Sequence, residues 1–185
     1  MKYINSKRIK LTCAAGLFAA LITAATVLVR IPVAHSGYYH AGDSVIYIAA
    51  SLLPGWYALA ASSIGGAMAD LIAGAPQWMI ATAIIKPLNA LPFIAARHIL
   101  KKSSQDNRIL HTLYAAMLIP TSIITIIGYY IAEGIMFGFD YSLWSSLLSG
   151  WIQPLASGAV YFLLGMALDK IKFKSVIFEK LFCKI

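Results

Sequence analysis

The sequence predicts an all-α integral membrane protein, a bundle of six transmembrane helices with both termini cytoplasmic. Three observations carry that expectation. Hydrophobic residues make up 60% of the 185 residues and charged residues only 12%, against about 45–50% and about 25% in soluble domains. The apolar residues fall in stretches long enough to cross about 30 Å of hydrocarbon. The basic residues cluster in three places, as the positive-inside rule expects of cytoplasmic segments. This composition excludes a soluble globular domain, a disordered chain and a coiled coil. The length fits one transmembrane domain over residues 1–185.

The first helix is expected over residues 9–29. It follows a basic start but runs past Ala25 without a cleavage signal, so it reads as a retained helix rather than a signal peptide. The second, 43–53, is too short to span upright, and the third covers 56–72. Between them Pro54-Gly55 favours a turn, because proline lacks a backbone donor and glycine tolerates unusual dihedrals. The rival is one long kinked helix over 43–72. The fourth, fifth and sixth helices are expected over 77–100, 109–131 and 142–168.

Charge parity decides between the rivals. The N-terminal flank carries Lys2, Lys7, Arg8 and Lys10. The loop after the fourth helix carries Arg97, Lys101, Lys102 and Arg108, and the tail carries Lys170, Lys172, Lys174, Lys180 and Lys184. All three lie on one side only if even numbers of crossings separate them, which six helices satisfy and five do not. The formal charge of +8 is thereby explained by orientation in the bilayer, and no nucleic acid is implied. Opposite lie the segments holding Arg30, His35, His40, Asp43, Asp70, Glu133 and Asp140, candidates for a binding mouth.

Several chemistries find no pattern. Cys13 and Cys183 make no disulfide framework, CxxC or zinc motif. His35 and His40 are two possible metal ligands without a matching cluster, so no metal or cofactor is expected. There is no GxxxxGK[ST], HExxH or GxSxG, so the chain neither hydrolyses nucleotide through a P-loop nor resembles an enzyme. No internal repeat or soluble domain stands out.

The first helix contains Ala15 and Ala19, and Gly16 and Ala20, each pair four apart. Small residues at that spacing let helix backbones approach closely in lipid. They serve internal packing or the docking of a partner subunit, and both readings stay open. Gly65-Gly66 in the third helix reads as tight internal packing.

Lys86 is the most informative residue. At a helix centre it costs roughly 2.5–3.5 kcal/mol on insertion scales and calls for an acid, carbonyls or a polar cavity. Trp78, Thr82, Lys86 and Asn89 share a helix face, and Pro87 adds a kink or a freed carbonyl. This set suits a ligand site; the structural alternative pairs Lys86 with Glu133 or Asp70. Tyr129 and Glu133 lie at the outer end of the fifth helix. Trp144 and Trp151 are seven apart on the sixth, the first as an interfacial anchor and the second, before Gln153, as a platform for a ring. The long outer loop over 31–43 could close over a ligand through its Tyr and His residues, its glycines giving it mobility. Asp43 could instead cap the second helix.

Over nearly the whole chain, these features resemble the substrate-binding S components of energy-coupling factor (ECF) vitamin transporters. The resemblance rests on six helices after a basic start, the Ala15/Ala19 face and Gly42-Asp43-Ser44. It also rests on Gly65-Gly66-Ala67-Met68-Ala69-Asp70-Leu71 and on Trp78 through Lys86-Pro87. The closest look is to the pyridoxine and hydroxymethylpyrimidine subgroup, with riboflavin, thiamine and queuosine precursors open. The resemblance implies a cell-membrane subunit that binds a small vitamin or precursor in its outer half, under the loop after the first helix. It implies docking through Ala15, Gly16, Ala19 and Ala20 on a transmembrane T subunit joined to two cytoplasmic ATPases, and toppling to release cargo. Carried onto this chain, the substrate-binding residues are His40, Asp43, Trp78, Thr82, Lys86, Asn89, Tyr129, Glu133, Trp151 and Gln153. Aromatic faces would stack on the ring while Lys86, Asn89 and Glu133 read its polar edge. The alternative is a stand-alone small transporter or channel without ATPase partners.

Overall fold

In the computed structural model, which describes residues 2–32, 38–148 and 150–183, the apolar stretches fold as helices in the expected order. α1 (Lys2–Leu28) leads into a two-stranded antiparallel hairpin, β1 (Arg30–Pro32) and β2 (Tyr38–His40). Then come α2 (Gly42–Leu52), α3 (Gly55–Ile72), a 3-10 turn at Pro76–Trp78 and α4 (Met79–Lys102). α5 (Thr112–Ala116) and α6 (Leu118–Phe137) are nearly continuous. The chain closes with α7 (Phe139–Ser142), a π-helical segment Leu143–Leu148, α8 (Ile152–Lys170) and a second π-helical segment Phe173–Cys183. Among the described residues, Ser6–Leu28, Pro76–Lys102, Thr112–Phe137 and Ile152–Lys170 are long and apolar enough to cross a membrane, and α2 is a shorter apolar helix.

Proline chemistry explains the main breaks. Leu53 is extended, with φ −82° and ψ 149°, because a following proline disfavours the helical region. α2 and α3 are therefore separate helices. Inside α4, Pro87 cannot donate to the Ala83 carbonyl four residues back. The Ser63 hydroxyl of α3 donates to that carbonyl at 2.8 Å, and α4 continues unbroken to Lys102.

Two expectations change. The loop after the first helix is not wholly irregular: Arg30 pairs with His40, Ile31 with Tyr39 and Pro32 with Tyr38. The expected sixth helix over 142–168 is broken. Pro154 fits the first turn of a helix, where no intrahelical donor is needed, and α8 starts just before it. Trp144 and Trp151 consequently belong to different elements and do not share one helix face.

α3 is the central packing element, lying against α1 on one side and α4 on the other. The adjacent glycines divide this work. A Cβ on Gly65 would stand 2.7 Å from the Ala19 carbonyl oxygen of α1. A Cβ on Gly66 would stand 2.8 Å from side-chain carbons of Lys86 and Thr82 on α4. Beside this sheet-like row of helices runs an aromatic core of Tyr47, Phe93, Tyr114 and Tyr161, all fully buried.

Candidate functional site

Four elements deliver polar side chains to one buried cluster. α4 supplies Lys86 on the face that also carries Thr82 and Asn89, and all three are buried. α2 begins one residue before Asp43. The Asp43 side chain does not cap that helix. It turns inward, and the Lys86 ammonium donates to its Oδ1 at 2.7 Å, with both side chains at 2% exposure or less. α8 supplies Gln153, whose Nε2 donates to Asp43 Oδ2 at 2.8 Å. β2 supplies His40, 3.2 Å from Gln153 through its Nε2. The carbonyl of His40 accepts from the Ser157 hydroxyl at 3.2 Å. The loop after α1 is thus fastened to α8 directly above the ion pair.

His40 also faces the Gly42 N–H, 3.2 Å from its Nδ1. A neutral imidazole accepts at one nitrogen and donates at the other, so its tautomer selects which contact is a full hydrogen bond. Burial is the main reason the ring stays neutral: together with the Lys86 cation it holds the imidazole down to about 4, against the opposing pull of Asp43.

An aromatic wall closes the cluster toward α6. Lys86 Nζ lies 5.3 Å from the centre of the Tyr129 ring, a cation–π arrangement. The Tyr129 hydroxyl is 3.3 Å from Thr82 Oγ1. Trp78 stands edge-on to Tyr129 at 5.9 Å between centroids. One turn below Lys86, the Asn89 carboxamide is fully buried and neither its oxygen nor its nitrogen has a hydrogen-bond partner. Leaving such a group unsatisfied costs about 1–3 kcal/mol. The Tyr47 hydroxyl, also fully buried, is likewise unpartnered.

Of the residues singled out from sequence, His40, Asp43, Lys86 and Gln153 form one bonded network, with Thr82, Tyr129 and Trp78 beside it and Asn89 beneath. Glu133 and Trp151 do not join it. The partner of Lys86 is Asp43, not Glu133 or Asp70; Glu133 instead accepts from the Ser145 hydroxyl at 3.2 Å. Trp151 stands at the N-cap of α8 with half its surface exposed, and Trp144 is 71% exposed. His35 lies outside the described residues. Among those described, no group of three His, Cys, Asp or Glu could hold a metal. Sequence reasoning missed Ser157 and the contact of Gly66 with Lys86. Ser157 stands four residues after Gln153, a polar pair on one face of an apolar helix, and that was its signal.

A second feature lies on the outside of the bundle. α1 and α3 frame an apolar groove of about 930 Å³ whose lining includes Ala15, Gly16, Ala19, Ala20, Ile64 and Met68. Ala15 and Ala19 form its floor, with 8% and 9% of their surface exposed, because they pack against α3. Gly16 and Ala20 are exposed.

The model of a family described as "ECF-type riboflavin transporter, S component" matches residues 6–171. Among curated proteins, an "Uncharacterized protein in gap 3'region" of Pyrococcus woesei is 41% identical over 66 residues, 35% of this chain and 44% of that protein. The chain therefore spans less than half the length of that relative. No solved structure matches the chain.

Proposed function

The chain belongs to the ECF-type riboflavin transporter S component family, and from that premise we propose that it captures a small heteroaromatic vitamin or precursor for uptake driven by partner ATPases. The observation that carries this reading is the buried cluster of His40, Asp43, Lys86 and Gln153, built from four elements under the loop after α1, with the unpartnered Asn89 carboxamide beside it. A stability core has no need of an ion pair, an imidazole and two amides. A ligand with a polar edge does, and Asn89 would discriminate against analogues that lack the matching group. Tyr129 and Trp78 offer aromatic faces to its ring.

Riboflavin, the compound in the family's description, comes first as ligand. Pyridoxine- and hydroxymethylpyrimidine-type compounds, the subgroup the sequence most resembles, come second, and thiamine and queuosine precursors follow. The topology proposed is six crossings of the cell membrane, α2 and α3 included, with both termini cytoplasmic. The partners proposed are a transmembrane T subunit, seated in the α1–α3 groove, and two cytoplasmic ATPases.

Titration of the purified protein with this panel tests the binding role, with tryptophan fluorescence as readout because Trp78 flanks the site. Saturable quenching by one compound, lost in Asn89→Leu, is the expected result. No response to any member by a folded protein would move the assignment to a stand-alone transporter or channel.

A further inference from the structure

A second buried polar cluster lies at the other end of α4. The Lys174 ammonium, from the C-terminal π-helical segment, is bonded to Asp106 Oδ1, to the Arg108 carbonyl at 3.2 Å and to the Tyr114 hydroxyl at 3.0 Å. All three of its donors are used. The Tyr114 hydroxyl donates to Asp106 at 2.7 Å, and Arg97 Nε stands 3.7 Å from the same carboxylate. Nearby, Asp169 accepts from the backbone N–H groups of Ile109 and Leu110 at 2.7 and 2.8 Å. Phe178, also buried, seats the same C-terminal segment. The proposed binding role uses none of these groups.

A stack of rings joins this cluster to the outer one. Tyr47 follows Asp43 by one turn of α2, and Phe93 follows Asn89 by one turn of α4. The Tyr47 and Phe93 rings stack at 4.8 Å with planes 2° apart. Phe93 stacks in turn on Tyr114 at 5.9 Å and 12°. Tyr161 meets Tyr47 and Phe93 edge-on, at 6.0 and 5.5 Å, and its hydroxyl donates to the Ile109 carbonyl at 2.6 Å. The column is hydrogen-bonded to the inner cluster through Tyr114 and joined to the outer one through the helix turns that carry Tyr47 and Phe93. Close-packed rings cannot absorb a displacement locally, so a shift at one end is passed on or resisted as a unit.

We propose that this column couples the outer site to the C-terminal segment, so that engagement of Lys86 and Asp43 changes how firmly residues 173–183 are held. The physical cause is the ion pair itself. It is a polar tie between α2 and α4 above the column, and a ligand that takes over one of its partners loosens α2, and Tyr47 with it. Read as a report of cargo to the far end of the bundle, the link rests on the proposed binding function; the link itself does not.

Amide hydrogen exchange on the full chain, without ligand, tests it. The paired substitution Asp43→Asn with Lys86→Met removes the ion pair without stranding a charge. Exchange across 173–183 should change by about fivefold or more, the lower end of ordinary coupling. In a Phe93→Leu background the response should vanish. Unchanged exchange, or the same response with Phe93→Leu, overturns the proposal. Should the paired variant not fold, the reverse measurement decides, since coupling is reciprocal: Asp106→Asn with Lys174→Met, read at residues 40–44. Riboflavin added to the unaltered protein separates the two ideas. Binding with no change across 173–183 overturns the coupling. No binding, with the variant response intact, leaves the coupling standing and removes riboflavin as its trigger.

Discussion

Lys86 and Asp43 stabilise the fold only as a pair. Breaking a buried pair by removing one partner costs about 3–5 kcal/mol, because the other charge is left uncompensated. Lys86→Met alone should therefore lower stability by about that amount, and adding Asp43→Asn should recover most of it; denaturant unfolding in detergent reads both. Equal losses in the single and paired variants would show that the cost does not come from an uncompensated charge. His40 gives a second test with a definite sign. Its pKa falls from 6.5 to about 4 on folding, so between those values the unfolded chain binds the extra proton. Its contribution is complete above pH 6.5 and is lost as pH falls toward 4, on the order of 3 kcal/mol at 1.36 kcal/mol per unit. His40→Gln should flatten that part of the stability profile relative to the unaltered protein. An identical slope in both would place the titration elsewhere. Lys86 was legible in the sequence because a cation amid apolar residues is a local anomaly. Its partner was not, because Asp43, Asp70 and Glu133 are equally placed by topology and only packing separates them.

Among the elements, α1 shows how one small-residue face serves two ends. Ala15 and Ala19 are used internally, where Gly65 brings the α3 backbone against Ala19. Gly16 is exposed, and a Cβ there would meet no atom within 4 Å. The two positions therefore separate folding from docking. Gly16→Leu should leave the unfolding temperature and ligand titration unchanged while blocking co-purification with a T subunit and its ATPases. Gly65→Leu should destabilise the isolated protein, since the Ala19 backbone cannot yield as a flexible side chain would. Normal assembly with Gly16→Leu would remove the groove as the docking face. Spacing alone showed that small residues were present, but not which side of the helix a neighbour had already taken. The break before α8 was hidden differently: the run from Ser142 to Leu168 is apolar enough throughout, and only Pro154 marked where a helix could begin.

For the whole molecule, the strongest constraint is where the charges gather. The C-terminal segment packs on α1 and is bonded through Lys174 to the loop after α4. The C-terminal tail and the loop after α4 thus meet beside α1, whose N-terminal flank carries the third basic cluster. Exposed within the three clusters are Lys7, Arg8, Lys10, Lys101, Lys102, Arg108, Lys170, Lys172 and Lys180. The buried knot there was not legible in the sequence, because Lys174 looks like any other tail cation and Asp106 like any loop acid. Carrying these cations across a bilayer is the costly outcome, so all three clusters should be cytoplasmic. Single cysteines can decide it in cells once Cys13 and Cys183 are replaced. Lys102→Cys should react with an impermeant thiol reagent only after the membrane is opened, and Asp140→Cys should react in intact cells. The reverse pattern would invert the orientation and put the His40–Asp43–Lys86 cluster at the wrong end for uptake. Equal reactivity of both from outside would show that the segment between them, α5 with α6, does not cross.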